Sequence, residues 1–272
     1  MKLMFIGDVV GKPGRRMIKR HLETLKRDHG VDFCAANGEN IAHGFGITLK
    51  CADELFNAGV DLLTGGNHSW DKKEVAALFG IKPLIRPINV PLEASGSGIW
   101  RAQIGDCELA VINLIGFHNM GVVDNPFTTI ERVVDDLIND GIKHIAIDFH
   151  AETTSEKNML LKLLEGKVSV IYGTHTHIGT DDLLLAKGTG YVSDIGLTGI
   201  RNEVIGMSSI EPIKRYKTGI KESFKIEENG FSIFQAIVFE LNAQGRCIDA
   251  YKIKAYDDEQ AFISMRQSGG WN

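Results

Sequence analysis

The chain has 272 residues and a formal net charge of −5, with 43% hydrophobic and 24% charged residues. This is an ordinary globular composition with room for a large core, and its acidic balance argues against a protein that coats nucleic acid or anionic membrane. No apolar run approaches the ~20 residues of a membrane-spanning helix, and the four cysteines lack C-x-x-C spacing. With free thiols and no signal peptide before the short apolar run "MKLMFIGDVV", we expect a cytoplasmic protein.

The first two thirds of the chain alternate strand-like and helix-like segments. Apolar runs of strand length predict five strands, at 2–8, 31–37, 60–66, 142–149 and 168–172. Helical periodicity with cap and glycine signals predicts five helices, at 11–30, 48–59, 71–80, 128–140 and 154–165. Thr48 is the expected cap of one helix, and Asp71 with Glu74 has the spacing of a capping box.

The remaining segments differ from this alternation. Residues 81–98 carry three prolines and are expected to be irregular, forming a small lobe over one face of the molecule. A hairpin around Gly105 and Asp106 is predicted at 98–116, and the chain after residue 180 is rich in strand patterns. No linker or repeat interrupts the sequence. We therefore expect a single α/β domain over 1–272, with a mixed sheet or two packed sheets.

Strong metal donors follow five of the predicted strands. These residues are Asp8, Glu39, Asn40, Asn67, His150, His175 and His177. Each alone has an ordinary structural explanation, but ligands bind at the carboxyl ends of strands in open α/β sheets, so the set is expected to converge. Seven donors exceed the four of a tetrahedral zinc site and suit two cations that share a carboxylate. Oxygen and imidazole donors without thiolate favour iron or manganese, with zinc as a further candidate.

Two other features lie near these strands. His68 directly follows Asn67, and its near-neutral pKa suits an acid that protonates a leaving oxygen, the alternative being a hydrogen bond to the rim of the site. The segment "GDVVGKPGR" is similar to a phosphate-binding loop, but it is one residue short, and Pro13 stands where serine or threonine is required. We discount ATP binding there.

Several motifs together identify a family resemblance. The chain contains "FIGDVVGKPGR", "NGENIAHGFG", "GGNHSWDKKE", "IDFHAETTSEK" and "GTHTH". It resembles the calcineurin-like metallophosphoesterases and, more closely, their YmdB-like branch, over residues 5 to about 200. Two departures from the wider superfamily, the missing histidine after Asp8 and the glutamate at Glu39, are shared with that branch. The resemblance implies a four-layer α/β/β/α sandwich, a two-metal centre, most often iron, and phosphodiesterase activity on cyclic nucleotides, including 2′,3′-cyclic ones.

The resulting hypothesis is a metal-dependent phosphodiesterase. It assigns Asp8, Asn40 and His177 to one metal and Asn67, His150 and His175 to the other. Glu39 bridges the two, a water between them attacks phosphorus in line, and His68 protonates the departing oxygen.

The expected partner is a small phosphodiester, with RNA less favoured and no membrane; the sequence leaves a homo-oligomer open. Two alternatives remain at this stage. One is a phosphomonoesterase or nuclease with the same centre, and the other is a non-catalytic protein that binds a nucleotide for regulation.

Overall fold

The structure is a computed structural model that describes residues 1–257 and 259–269. The described residues form five α-helices: α1 Gly11–His29, α2 Leu49–Asn57, α3 Pro126–Asn139, α4 Thr154–Leu164 and α5 Ile210–Thr218. The strands of the amino-terminal half are β1 Lys2–Ile6, β2 Asp8–Val9, β3 Phe33–Asn37, β4 Leu62–Thr64, β5 Ile99–Ile104 and β6 Cys107–Ile115. The later strands are β7 His144–His150, β8 Val170–Thr174, β9 Leu184–Ala186, β10 Thr189–Val192, β11 Leu197–Ile200, β12 Ser232–Leu241, β13 Cys247–Tyr256 and β14 Phe262–Ser268.

These strands form two mixed sheets. The first runs in the order β14-β13-β12-β1-β3-β4, and β11 pairs with both β12 and β2. Within it, β1, β3 and β4 are parallel, while β12 lies antiparallel to β1. The second runs β5-β6-β7-β8-β10-β9, with β6, β7, β8 and β10 parallel. The parallel strands of each sheet therefore end at a common edge, where functional residues are expected.

Three apolar cores separate four layers. Helices α1 and α2 cover the first sheet through residues such as Met17 and Leu55. The two sheets face each other across a second core, in which the rings of Phe5 and Tyr172 stack 4.2 Å apart. Helices α3 and α4 cover the second sheet through residues such as Ile130. The expected α/β/β/α sandwich is confirmed.

Local sequence signals explain many element boundaries. The Thr48 hydroxyl accepts a hydrogen bond from the backbone of Cys51, which caps α2 as predicted. Helix α1 ends at Gly30 in the left-handed conformation that glycine adopts readily. The hairpin predicted around Gly105 and Asp106 joins β5 to β6.

The predicted helix at 71–80 is wrong. Only a short 3-10 helix, Lys73–Ala77, forms there, and no side chain caps it. The Asp71 carboxylate instead lies 2.8 Å from the imidazole of His68, so it is drawn away from the capping position. The sequence also did not indicate α5 or β14, which belong to the strand-rich last third.

The irregular segment 81–98 connects the two sheets. Its Ile85 donates a backbone hydrogen bond to Leu63 of β4, and its Ile88 donates to Asn113 of β6. A surface cavity of about 630 Å³ beside it is lined by Ile81 and Trp100 and contains none of the predicted donors. Among the described residues, no helix combines the length and apolar character needed to cross a lipid bilayer.

Candidate metal centre

All eight predicted residues lie at the edge where the parallel strands of both sheets end. Asp8 and the turns after β3 and β4 bring five of them from the first sheet. His150 is the last residue of β7, and His175 and His177 follow β8. Asp8, Glu39, Asn40 and His150 are each at most 2% exposed. Burial of this many polar groups together is costly unless they are paired or coordinate metal.

One group of donors converges on His150. Its Nε2 atom lies 2.9 Å from Asn67 Oδ1, 3.1 Å from His175 Nδ1 and 3.3 Å from Glu39 Oε1. One potential ligand atom from each of Glu39, His150 and His175 falls within 4.8 Å of the others. Four side chains from four separate turns or strands thus direct donor atoms at one small volume.

Hydrogen bonds at Nδ1, the ring nitrogen away from the other donors, set the orientation of the His150 ring. The Thr174 hydroxyl donates to Asp148 Oδ1 at 2.7 Å, so its oxygen accepts from His150 Nδ1 at 3.0 Å. Burial raises the pKa of Asp148 to about 7, and the hydroxyl groups of Thr64 and Thr174, which donate to its ionised form, oppose that rise. With its hydrogen on Nδ1, the imidazole presents Nε2 to the other donors, as a metal ligand requires.

A second group lies around Asp8. His177 Nδ1 is 2.7 Å from the backbone carbonyl oxygen of Ile205, and since a carbonyl can only accept, Nδ1 carries the hydrogen. The free Nε2 then lies 3.8 Å from Asp8 Oδ1. The buried atoms Asp8 Oδ1 and Asn40 Oδ1 have no hydrogen-bond partner among the described residues.

These observations test whether the residues fit two metal ions. Two buried oxygen atoms without partners are the kind of group that coordinates a cation. Gly66 adds a steric argument, because a Cβ atom there would lie 2.3 Å from Glu39 Oε2 and 2.4 Å from His150 Nε2. The donors are oxygen and imidazole atoms without thiolate, which suits iron, manganese or zinc. The residues fit a metal centre, with Glu39, His150 and His175 in one cluster and the unpartnered oxygens of Asp8 and Asn40 among the other predicted donors of the described residues.

Burial and neighbouring charges shift the pKa values of several donors. Burial alone would raise the pKa of Glu39, but the His150 imidazole overcomes this and lowers it to about 2. Burial lowers the pKa of His175 to about 3, with a further contribution from His150. Burial raises the pKa of Asp8, although His177 and His150 oppose the rise. A carboxylate at Glu39 and a neutral imidazole at His175 are the ligand forms that bind cations.

His150 itself retains a proton in this arrangement. Burial alone would lower its pKa, but the Glu39 carboxylate beside it raises that pKa to about 9. A cation at Nε2 would take the place of this proton, because metal ligands must be deprotonated.

His68 stands apart from these donors. Its backbone N–H donates to Glu39 Oε2 at 2.9 Å, while its ring Nδ1 is held 2.8 Å from Asp71. The ring is partly exposed and meets Phe45 edge-on at 4.9 Å. Held by a carboxylate on one nitrogen and open on the other side, this imidazole is suited to proton transfer at the mouth of the site.

A buried ion pair supports the "GTHTH" turn. Lys157 Nζ lies 2.8 Å from Asp194 Oδ2 and donates to the backbone carbonyl of Thr174 at 3.0 Å. The same Asp194 oxygen accepts from the Thr176 hydroxyl at 2.8 Å. His175 and His177 have positive φ values of 94° and 65°, which cost of order 1–3 kcal/mol each and persist only where surrounding contacts hold them.

The sequence analysis did not identify several residues that hold the donors and His68 through hydrogen bonds. Asp148 precedes His150 by two positions in β7, and because side chains in a strand alternate, that spacing places both on one face and could have been noticed. The sequence indicated Asp71 only as a cap. Glu152, whose carboxylate lies 2.8 Å from His175 Nε2, carried no signal beyond its closeness to His150 in sequence.

A cavity of about 310 Å³ opens beside the donors. Glu39, Asn40, His68, His175 and His177 line one part of it. The rest is lined by Phe45 and by residues between 204 and 224, including part of α5. A ligand that enters from this side therefore reaches the two donor groups through a partly apolar opening.

Comparisons with known proteins identify the family of the chain. A family model described as YmdB-like protein matches residues 4–253. Over 268 residues the chain is 40% identical to a Bacillus subtilis (strain 168) protein named 2′,3′-cyclic-nucleotide 2′-phosphodiesterase, covering 96% of this chain and 100% of that protein.

Two solved structures also match nearly the whole chain. A hypothetical protein from Thermus thermophilus superimposes with a TM-score of 0.89 at 36% identity, covering 94% of this chain and 100% of that one. A novel phosphatase from Mycoplasma pneumoniae has a TM-score of 0.89 at 32% identity, covering 95% and 94% of the two chains. With nearly its whole length matched in sequence and in fold, the chain belongs to the YmdB-like protein family.

Proposed function

We propose that the chain is a metal-dependent phosphodiesterase that hydrolyses 2′,3′-cyclic nucleotides. The observation that carries this proposal is the convergence of Asn67, His175 and Glu39 on His150 Nε2. It is joined by the buried oxygens of Asp8 and Asn40, which have no hydrogen-bond partner in the described part of the chain. The substrate class follows from the name of the Bacillus subtilis relative, which shares 40% of its residues with this chain.

The ligands divide into two sets in this proposal. Asn67, His150 and His175 would hold one metal, in keeping with the short distances of Asn67 and His175 from His150 Nε2. Asp8, Asn40 and His177 would hold the other, and the Glu39 carboxylate would serve both sets. We propose iron as the native metal, since oxygen and imidazole donors suit it, with manganese or zinc as substitutes.

The residues of the chain then perform defined tasks. When bound, the two metal ions supply a water of lowered pKa and offset charge on the phosphate oxygens. Hydrolysis joins a water oxygen to phosphorus and breaks the bond from phosphorus to O2′. His68 gives its proton to the departing O2′, and the product is a nucleoside 3′-phosphate. Asp71 holds the His68 ring in position for this transfer.

Monoester hydrolysis is the second candidate. The Mycoplasma pneumoniae structure, at 32% identity, is described as a phosphatase. The same donors could bind a monoester, but a partly apolar cavity of about 310 Å³ beside them offers room for more than inorganic phosphate and a small group. We also place the activity in the cytoplasm, because all four cysteines are free thiols.

The test is hydrolysis of 2′,3′-cyclic AMP by protein stripped with a chelator, before and after adding Mn²⁺ or, without oxygen, Fe²⁺. We expect turnover only after metal addition, with adenosine 3′-phosphate as the product by chromatography. Adenosine 3′-phosphate and p-nitrophenyl phosphate serve as monoester substrates. If both monoesters are hydrolysed faster than the cyclic diester, a phosphatase assignment replaces this one.

A further inference from the structure

The wall of the cavity opposite the metal donors has a distinct character. Helix α5 contributes Pro212, Arg215 and Tyr216 to it, and the chain returns after the helix to contribute Phe224. Positions 212, 215 and 216 are three and four residues apart, so they lie on one face of the helix. Tyr216 is 89% exposed, an unusual state for a large ring that lines a cavity.

Phe45 lines the same cavity from the first sheet side. It lies in the turn that follows Glu39, and its ring contacts His68. We call Phe45, Tyr216 and Phe224 the aromatic slot. The cavity volume of about 310 Å³ lies at the lower end of the ~300–1,000 Å³ range of small-molecule sites, which is enough for one flat group beside the donors.

A positive charge is fixed in this wall. The guanidinium carbon of Arg215 lies 5.4 Å from the centre of the Phe224 ring. Arg215 is the one lysine or arginine among the described residues that line the cavity. A guanidinium plane held over a ring presents N–H donors at its edge and extends the surface on which another ring can stack.

We propose that the aromatic slot, with Arg215, binds the base of a nucleotide whose phosphate lies at the metal centre. The inference rests on the proposed function, and it adds the part of the protein that holds the base. The base of a 2′,3′-cyclic nucleotide is joined to its phosphate through a single ribose, so it must lie within one sugar of the donors. The slot is the aromatic surface at that position.

The chemistry of the slot also indicates its selectivity. Every base has an aromatic face, so stacking on a protein ring depends little on which base is bound. Val204 and Met207 line the same cavity, and their apolar side chains offer no strong hydrogen-bond donor or acceptor to a base. The slot therefore accepts purines and pyrimidines and discriminates against a substrate without a base.

The experiment compares two substrates that differ only in the base. Methyl β-ribofuranoside 2,3-cyclic phosphate has the ribose and the cyclic diester of 2′,3′-cyclic AMP but no adenine. For the metal-loaded wild type, we expect kcat/KM to be on the order of tenfold higher or more for 2′,3′-cyclic AMP, the effect of one base stacked on an aromatic ring. The Tyr216→Ala variant should lose most of this preference.

Two further variants separate stacking from general damage. Tyr216→Phe keeps the ring and should keep the preference. Ile213→Ala changes a residue of the same helix that is 48% exposed and does not line the cavity, so its preference should equal that of the wild type. Because Tyr216 is exposed, its replacement should leave the melting temperature unchanged.

The outcomes distinguish the two proposals. Wild-type protein that hydrolyses both substrates with equal kcat/KM would overturn the slot and leave the phosphodiesterase assignment standing. A Tyr216→Ala variant with a full preference for the base would overturn it as well. Wild-type protein that hydrolyses neither cyclic diester under metal loading would overturn the proposed function, and the slot with it.

Discussion

The His68 imidazole is held 2.8 Å from the Asp71 carboxylate, three residues further along the chain. The contact fixes the ring at the mouth of the metal centre and leaves its second nitrogen free to face a ligand. An imidazole that bound metal itself would lie among the converging donors, whereas His68 contacts Glu39 through its backbone N–H. On this geometry we propose that His68 transfers a proton and does not bind metal.

Replacing His68 by alanine should therefore spare metal binding and slow catalysis. Loss of a general acid typically costs about 10²- to 10⁴-fold in rate. We expect that loss in kcat for 2′,3′-cyclic AMP, whose alkoxide needs a proton, and a much smaller one for bis(p-nitrophenyl) phosphate, whose leaving group needs none. Asp71→Asn should show the same pattern to a lesser extent. Equal losses on both substrates would dismiss the acid role.

Glu39 is expected to be the least replaceable donor. Glutamine has the same shape as glutamate but lacks the charge that two metal ions would share. Mutation of a residue that only hydrogen-bonds to a metal ligand typically costs roughly 10- to 100-fold. Glu39→Gln should lower kcat by more than this. Metal content measured by mass spectrometry should fall with it. Glu165→Gln, which changes a glutamate paired with Lys187 at the end of α4, is the matched control. Full activity in Glu39→Gln would contradict the bridging role.

Gly66 tests the close approach of the donors. An alanine Cβ there would lie 2.3 Å from Glu39 Oε2, so Gly66→Ala should displace the carboxylate and abolish metal binding while the chain still folds. At Gly38, one residue before Glu39, an added Cβ would instead meet the Leu63 side chain at 3.3 Å, and that side chain can shift. Isothermal titration with Mn²⁺ should show binding to Gly38→Ala only. Unchanged binding by Gly66→Ala would refute the proposed geometry.

The hydrogen bond between His150 Nδ1 and the Thr174 hydroxyl should increase metal affinity. Thr174→Val keeps the shape of the side chain but removes the hydroxyl between His150 and Asp148. We expect the dissociation constant for metal to rise about 10- to 100-fold. Thr198→Val removes another buried hydroxyl, one that contacts Gln235 in the first sheet, and should leave metal affinity unchanged. Equal effects of the two variants would point to a general loss of stability.

The sequence predicted where the candidate donors lie in the fold, because they follow buried strands whose apolar runs are easy to identify. Asp8, His150 and His175 are placed by the ends of β1, β7 and β8, and parallel strands must end at the same edge of a sheet. Helix α1 was equally clear, since its apolar period is regular and Gly30 marks its end.

Other features depend on contacts distant in sequence. Helix α5 is nine residues long and exposes most of its surface, so it offers few positions for the long apolar period by which a helix is recognised. The cavity wall joins Phe45 to Phe224, and no local pattern shows that these positions meet. Asp71 resembled a cap because capping spacing does not reveal a competing partner such as His68.

The most direct test of the two-metal centre is a titration of stripped protein with Mn²⁺, in which hydrolysis of 2′,3′-cyclic AMP is measured at each addition. We expect two bound equivalents and activity that rises mainly with the second, because both donor groups must be occupied for turnover. Folded protein that binds no metal, or that reaches full activity before any is added, would contradict it.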